Sequence, residues 1–405
     1  MSFMFSLKSI FTGGQSTTIG ARCYGDDLTR MRLKYSPYYD HFERQKGAHV
    51  WLNGERLILL SSNDYLGLTF HPEVLEAGKQ ALEEWGSSST GARVANGGRA
   101  YHCELEEELA DFLGKEAVHV HSAGYLSCMS AVEAFAHRGD VILVDRNVHS
   151  SLWAGISNTR ARVEKFGHNN PESLRKALSF EKPETPKLLL FEGIYSMEGH
   201  LAPIPEFLKV IEGHNVFTIM DDAHGMGAIG PGGRGSAHHL GCEDAVDVIC
   251  GSLSKSLASV GGFVAGDRAV IEYLRTHSKQ TLFSAALSPT AAACALAALR
   301  VLKKEPFHLE RLHSNVVRYR TFLNELGLDT WGSETAAVPV VLGDKAKVYY
   351  FRKALMKKGV YTTMSIAPAV PPKKDLIRTS ISARHSDEDL DRIFEAFTYA
   401  VKKVL

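Results

Sequence analysis

An α/β fold, with a mainly parallel sheet in a large domain and a smaller α+β domain behind it, is what this chain predicts. Three observations carry the prediction. Short apolar runs of strand length recur between residues 118 and 265. They do not alternate with polar residues, which suits strands buried on both faces. Helical stretches separate them, and parallel neighbours need such crossovers.

In order, strands are predicted at 118–121, 141–145, 188–192, 217–221, 246–250 and 262–265, with helices at 104–113 and 171–178 among them. An Ala/Leu-rich helix at 288–303 ends the large domain or links it to the next. Beyond it, 336–342 and 377–381 read as strands and 345–358 and 386–404 as helices. Ser386 is a suitable N-cap for the last of these, with Glu388 in its first turn. The expected division is an N-terminal arm at 1–55, a large domain at 56–290 and a small C-terminal domain at 291–405.

The chain has 405 residues and is 44% hydrophobic, enough for a sizeable core. Lys plus Arg and Asp plus Glu number 46 each, so no net field favours nucleic acid or a charged membrane. Six scattered cysteines form no C-x-x-C pair, which speaks against a zinc knuckle or a disulfide framework and suits a reducing cytoplasm. No apolar stretch is long enough to span a bilayer. Met4, Phe5, Leu7, Ile10 and Phe11 surround Lys8 without a signal-peptide cleavage site; this reads as an arm on a partner subunit and leaves room for peripheral contact with the inner membrane surface.

Chemistry gathers where predicted strands end. The run 246–250 leads into Gly251-Ser252-Leu253-Ser254-Lys255, placing a lysine at a strand's carboxyl end, where open α/β sheets bind ligands. A semi-buried amine there could lose its proton for Schiff-base chemistry, and Ser252 and Ser254 could hold phosphate oxygens. Alone, the segment reads equally well as a lysine in a polar surface loop. Asp221-Asp222-Ala223-His224 ends another strand, 34 residues earlier. Pyridoxal 5′-phosphate (PLP) needs a carboxylate on its ring nitrogen, a role for Asp221, and His224 could donate to the 3-oxygen. A D-x-x-H metal pair lacks further ligands at zinc-like spacing, so no metal is expected here. Ser122-Ala123-Gly124-Tyr125 opens a helix after a strand, a place for phosphate on free backbone amides. His149 follows the strand at 141–145 and could stack on the pyridine face.

Together these residues resemble the α-oxoamine synthases, a branch of the fold-type I PLP-dependent transferases. The likeness runs from about residue 57 to the C-terminus and includes S-S-N-D-Y-L-G at 61–67, G-A-R at 91–93, E-G-I-Y-S-M-E-G at 192–199 and G-S-L-S-K at 251–255. Three stretches look most like the serine palmitoyltransferase branch: R-V-A-N-G at 93–97, F-G-H-N at 166–169 and S-K-S-L-A-S-V-G-G at 254–262. The resemblance implies Lys255 as the cofactor-bearing lysine, with Asp221 and His149 also catalytic. It implies further cofactor contacts from Gly124, Tyr125, Ser196, His224, Ser252 and Ser254, and from Ser284 across a homodimer interface. Arg378 is expected at the amino-acid carboxylate, with Asp64 also at the substrate. One departure is plain: many members carry an arginine in the loop before Arg378, where this chain has Ile366. The implied reaction is a decarboxylating condensation of an amino acid, L-serine on the nearest likeness, with a long-chain acyl-CoA to give an α-amino ketone such as 3-ketosphinganine. Glycine, alanine or cysteate with another acyl-CoA or an acyl carrier protein is the alternative. An aminotransferase or lyase is a rival within PLP chemistry, and a non-catalytic α/β ligand-binding protein a rival from another class.

Overall fold

The computed structural model describes residues 37–367 and 369–405. The apolar segment around Met4 and Phe11, Cys23, and Pro368 lie outside the described residues. The described chain opens on three antiparallel strands, β1 (Arg44–Lys46), β2 (His49–Leu52) and β3 (Glu55–Leu59).

A seven-stranded sheet follows: β4 (Ala117–His121), β5 (Val141–Asp145), β6 (Arg162–Phe166), β7 (Lys187–Glu192), β8 (Val216–Asp221), β9 (Val248–Ser252) and β10 (Gly262–Gly266). Its spatial order is β4-β10-β9-β8-β7-β5-β6. Strands β5 to β9 pair in parallel, while β10 runs antiparallel to both neighbours. The reason lies between β9 and β10: residues 253–261 are too few for a crossover helix, so the chain turns straight back. Every residue of β4, β5, β7 and β9 is buried, and the interiors of β5 and β7 accordingly read as unbroken apolar runs. Sequence reading missed β6 because it is the sheet's edge: its exposed Arg162 and half-exposed Glu164 look like loop and also guard the open ladder.

Strand β9 is shifted from the predicted 246–250. It runs on to Ser252 because Phe263 and Gly262 of β10 pair with Gly251 and Ser252. The carboxyl ends of β4, β5, β7, β8 and β9 carry His121, Asp145, Glu192, Asp221 and Ser252 along one edge of the sheet.

The C-terminal part holds a three-stranded antiparallel sheet of β11 (Ala337–Val341), β14 (Leu376–Ser380) and β13 (Thr363–Ser365), while β12 (Val360–Tyr361) joins the first sheet beside β3. Strand β3 therefore runs through the expected 55/56 boundary and ties the start of the described chain to its far end. One hydrophobic cluster extends from Ile58 to Ala400 and includes Leu190, Ile219, Val264, Leu299 and Phe397. The helices Pro289–Lys304 and Asp387–Val404 begin as predicted, with Ser288 and Ser386 as N-caps; the reciprocal capping partner of Ser386 is Asp389. Helices Pro72–Trp85 and Phe307–Glu325 were not foreseen. Among the described residues no helix is long and apolar enough to cross a membrane.

Candidate active site

A cavity of about 450 Å³ opens at that sheet edge, within the range usual for small-molecule sites. Ten of the twelve predicted site residues line it: Gly124, Tyr125, His149, Ser196, Asp221, His224, Ser252, Ser254, Lys255 and Arg378. Asp64 and Ser284 do not. Asp64 accepts hydrogen bonds from the Leu68 and Thr69 amides (2.9 and 3.3 Å) and the Thr69 hydroxyl (2.6 Å), so its carboxylate is spent holding a 3-10 turn. Its neighbour Asn63 reaches the cavity instead. Ser284 sits in a separate crevice with His121 and Thr281, next to the exposed ring of Phe283.

Lys255 is half-buried at the turn after β9. Burial pulls its amine below the ordinary lysine range, Asp221 and Glu192 pull the other way, and Arg378 adds to the lowering. Among the described residues nothing hydrogen-bonds or ion-pairs with this amine, so it is free to form a bond to a ligand. The acidic pair divides by the alternation of an extended chain. Asp221 turns into the cavity, accepting from the Ala223 amide (3.1 Å) and the Cys128 thiol (3.2 Å). Asp222 turns away onto the Ser236 amide (2.8 Å) and hydroxyl (2.5 Å). Burial raises the Asp222 carboxyl to about 7 although both Ser236 bonds oppose it. A hydrogen bond with Cys250, burial and the charge of Asp221 push the Cys128 thiol well up, so it stays a donor to that carboxylate.

His224 bonds through Nδ1 to the Tyr65 hydroxyl at 2.7 Å. Burial raises the Tyr65 hydroxyl, against the influence of Arg378, so it keeps its proton and donates. Burial and the positive charges of Lys255 and Arg378 hold His224 well below its usual range. The ring is therefore neutral, and with Nδ1 held by Tyr65 it is Nε2 that is left for the cavity. His149 caps the helix Ser150–Ser157, and its Nδ1 accepts from the Ser151 hydroxyl (2.7 Å), fixing the ring with Nε2 outward. The Tyr125 ring meets it edge-on at 6.1 Å.

The helix Gly124–Phe135 begins at the cavity without a side-chain cap, leaving its first amides for an anion. The Ser252 and Ser254 hydroxyls lie 2.7 Å apart beside it. A Cβ on Gly124 would stand 3.0 Å from the Ser252 hydroxyl, so only glycine leaves this cradle open. At the other end, Arg378 of β14 donates through Nε to the Ser196 carbonyl (2.9 Å) and through both Nη atoms to Asn63 Oδ1 (3.2 Å each). It is the one guanidinium among the described lining residues. Ile366 packs half-buried against the core, and no cation stands in its place.

The chain fits a family model for aminotransferases of class I and II over residues 55–397. It is 37% identical over 366 residues to a serine palmitoyltransferase of Sphingobacterium spiritivorum, covering 90% of this chain and 92% of that one. It is 36% identical over 363 residues to an 8-amino-7-oxononanoate synthase of Thermoanaerobacter pseudethanolicus, covering 89% and 92%. This chain belongs to the α-oxoamine synthases, within the class I and II aminotransferase family. A solved Sphingomonas wittichii serine palmitoyltransferase overlays with a TM-score of 0.90 at 34% identity, covering 94% of this chain and 97% of that one. Another serine palmitoyltransferase structure, containing PLP as its internal aldimine, overlays at 0.90 and 33% identity, covering 93% and 96%.

As an α-oxoamine synthase the protein is a PLP enzyme of fold type I and an acyltransferase. The cavity fits the cofactor on its own evidence: an unpartnered amine, a buried carboxylate, and a glycine cradle at a helix start. Two stretches that pointed to the serine palmitoyltransferase branch do other work. Arg93 makes a two-pronged bond to buried Glu106 (2.8 and 3.2 Å); burial alone would raise that carboxyl, but His119 and Arg93 hold it down at about 2. His168 and Asn169 clasp Asp145 behind the sheet edge. Sequence reading passed over Asn63, Tyr65, Cys128 and Glu192. Asn63, Tyr65 and Glu192 stand inside quoted motifs, but nothing in the sequence says which way they face.

Proposed function

We propose that this α-oxoamine synthase condenses L-serine with a long-chain acyl-CoA, with loss of carbon dioxide, to give 3-ketosphinganine. What carries the reading is one convergence: Lys255, Asp221, His149 and Arg378 share a single cavity, in a chain whose relatives include serine palmitoyltransferases. When bound, the cofactor supplies a protonated ring that stabilises negative charge at the amino acid's Cα.

The chain's own residues do the rest. Lys255 would hold the cofactor covalently, and its Nζ, lowered by burial, is the group placed to take the Cα proton of the amino acid. Asp221 would pair with the ring nitrogen, and the Cys128 thiol and Ala223 amide hold that carboxylate in place. His224, held through Nδ1 by Tyr65, would present Nε2 to the 3-oxygen. His149 would cover the ring face, and Gly124, Tyr125, Ser252 and Ser254 would receive the phosphate. Arg378 exchanges Asn63 for the amino-acid carboxylate, a two-pronged partner. Ser196 sits beside it through its carbonyl. Ser284, outside this cavity, completes the phosphate site of a partner copy in a homodimer. The enzyme works in the cytoplasm, in sphingolipid synthesis.

A second reading has a specific observation behind it. Ile366 leaves Arg378 alone with the carboxylate, and the similarity to an 8-amino-7-oxononanoate synthase is nearly as high. A different amino acid, glycine, alanine or cysteate, then enters the same chemistry. The deciding experiment is a panel of these amino acids against acyl thioesters of graded length, on CoA and on an acyl carrier protein, read by thiol release and product mass. Serine with a C16-type acyl-CoA should give the fastest release and 3-ketosphinganine; a tenfold preference for another pair would replace this reading.

A further inference from the structure

One buried acid lines the cavity without a task in the reaction. Glu192 is the last residue of β7, 2% exposed, and part of the cavity wall. Strands β7 and β8 pair in parallel, with Glu192 opposite Asp221. Residues opposite each other on neighbouring strands stand about 4.8 Å apart at their backbones and point to the same face. Both carboxyl groups therefore enter the cavity side by side. Asp222, the next residue along an extended chain, faces away onto Ser236.

Two buried carboxyl groups side by side do not both ionise, and hydrogen bonds decide which keeps the charge. Asp221 accepts from the Ala223 amide at 3.1 Å and from the Cys128 thiol at 3.2 Å. Glu192 accepts through Oε2 from the Ser196 amide alone, at 3.2 Å. Among the described residues its Oε1 has no partner, and it is open to the cavity. Burial and the charges of Asp221 and Glu198 push the Glu192 carboxyl well up, against Lys255 and the Ser196 amide. The remaining charged or titratable groups on the cavity wall are His149, His224 and Arg378, besides the Cys128 thiol and the Tyr125 hydroxyl. A neutral acid has one proton to offer, and Oε1 is the atom left to offer it. Sheet order says what it meets. The phosphate cradle lies after β4, at Gly124, and at the end of β9, at Ser252; Asp221 ends β8, and β7 lies on the far side of β8 from that cradle. In PLP the phosphate arm and the 3-oxygen leave the ring on opposite sides of the line through its nitrogen. With the nitrogen at Asp221 and the phosphate toward β9 and β4, the edge bearing the 3-oxygen turns to β7.

We propose that Glu192 is a neutral carboxylic acid that donates a hydrogen bond to the cofactor's 3-oxygen from the β7 side of the cavity. It is a second donor there beside His224, and it draws electron density from the ring without setting another negative charge next to Asp221. The inference rests on the reading that Lys255 bears the cofactor and Asp221 takes its ring nitrogen. Glu192→Gln keeps the shape, the neutrality and a donor; Glu192→Leu keeps the neutrality and loses the donor.

The test uses holoenzyme without amino acid or thioester, so a wrong choice of either substrate alters no readout; a wrong lysine shows separately, in where borohydride fixes the cofactor. At pH 8, above the value of about 7 for Asp222, infrared spectra should show a protonated-carboxyl C=O stretch that shifts in D2O and is lost in Glu192→Gln. The pH midpoint of the visible absorbance change should move by less than about one unit in Glu192→Gln, since loss of a nearby charge would move it by about 1–3 units. Glu192→Leu should displace the visible band at fixed pH. No such stretch in the wild-type enzyme at pH 8, a midpoint displaced by about a unit or more in Glu192→Gln, or an unmoved band in Glu192→Leu overturns the proposal. The wild-type infrared result decides it even if a variant fails to fold.

Discussion

The tautomer of His224 shows how much of this site is set by residues that touch no substrate. A neutral imidazole has one donor and one acceptor nitrogen, and a neighbour decides which is which. Here the neighbour is Tyr65, whose buried hydroxyl meets Nδ1 at 2.7 Å and keeps its own proton, and we predict that it donates there and leaves Nε2–H for the cavity. Tyr65→Phe removes that one bond and keeps the ring packing. A hydrogen bond is worth a net ~1 kcal/mol, so turnover should fall by about fivefold, with a shift in the cofactor's visible band. Steady-state kinetics and an absorbance spectrum of the holoenzyme check it; an unaltered spectrum would mean the tautomer is set elsewhere. The residue scale is also where sequence reading was most uneven. Lys255, Asp221 and His149 were legible because polar residues at the ends of apolar strands stand out. Asp64 was taken over Asn63 because adjacent residues in an irregular turn face opposite ways, and no periodicity announces which.

At the scale of elements, the strands of the seven-stranded sheet that were legible are those in its buried interior, and the one missed there, β6, is a charged edge. The N-terminal hairpin was missed for a related reason: β1 is wholly exposed, and β3 finds its partner β12 some 300 residues later. The antiparallel β10 could be inferred only from the shortness of the loop that carries Lys255. The helix Gly124–Phe135 supplies a sharper test, because its first residue serves two masters. Alanine there is a better helix former than glycine, by ~1 kcal/mol, and raises the stability of the apo-protein or leaves it unchanged. Its Cβ, however, would stand 3.0 Å from the Ser252 hydroxyl. Gly124→Ala should therefore weaken PLP binding far more than it changes the apo thermal midpoint, where helix propensity and the Ser252 contact oppose each other, as fluorescence titration and scanning calorimetry would read. A loss of both would mean the glycine serves folding alone.

Across the whole molecule, buried histidines set the response to acid. Burial lowers His102 to about 4 and holds His121 and His385 below their usual range. Each is neutral when folded and takes up a proton when unfolded below about pH 6.5. The unfolded chain then binds more protons, so this stability is present above that pH and is lost as pH falls toward the folded value. Asp222, raised to about 7, works in the opposite sense: it stays protonated in the fold, and its contribution is lost as pH rises toward 7. Lowered imidazoles, among them also His119 and His224, outnumber the raised carboxyls Asp222 and Glu192, so urea unfolding should give a falling stability from pH 7 to pH 5. At pH 5 the share of His102 is roughly 2 kcal/mol, and His102→Gln should flatten the slope. A stability that holds or rises over that interval would contradict this balance.

The central claim is that the cofactor is carried by one particular amine in the cavity under Arg378. Borohydride treatment of the holoenzyme fixes PLP to whichever amine holds it, and digestion with mass spectrometry finds the peptide. The account predicts a single phosphopyridoxyl group, on Lys255, and none after Lys255→Ala; a label on any other lysine, or an unlabelled Lys255 in enzyme that still turns over, would contradict it.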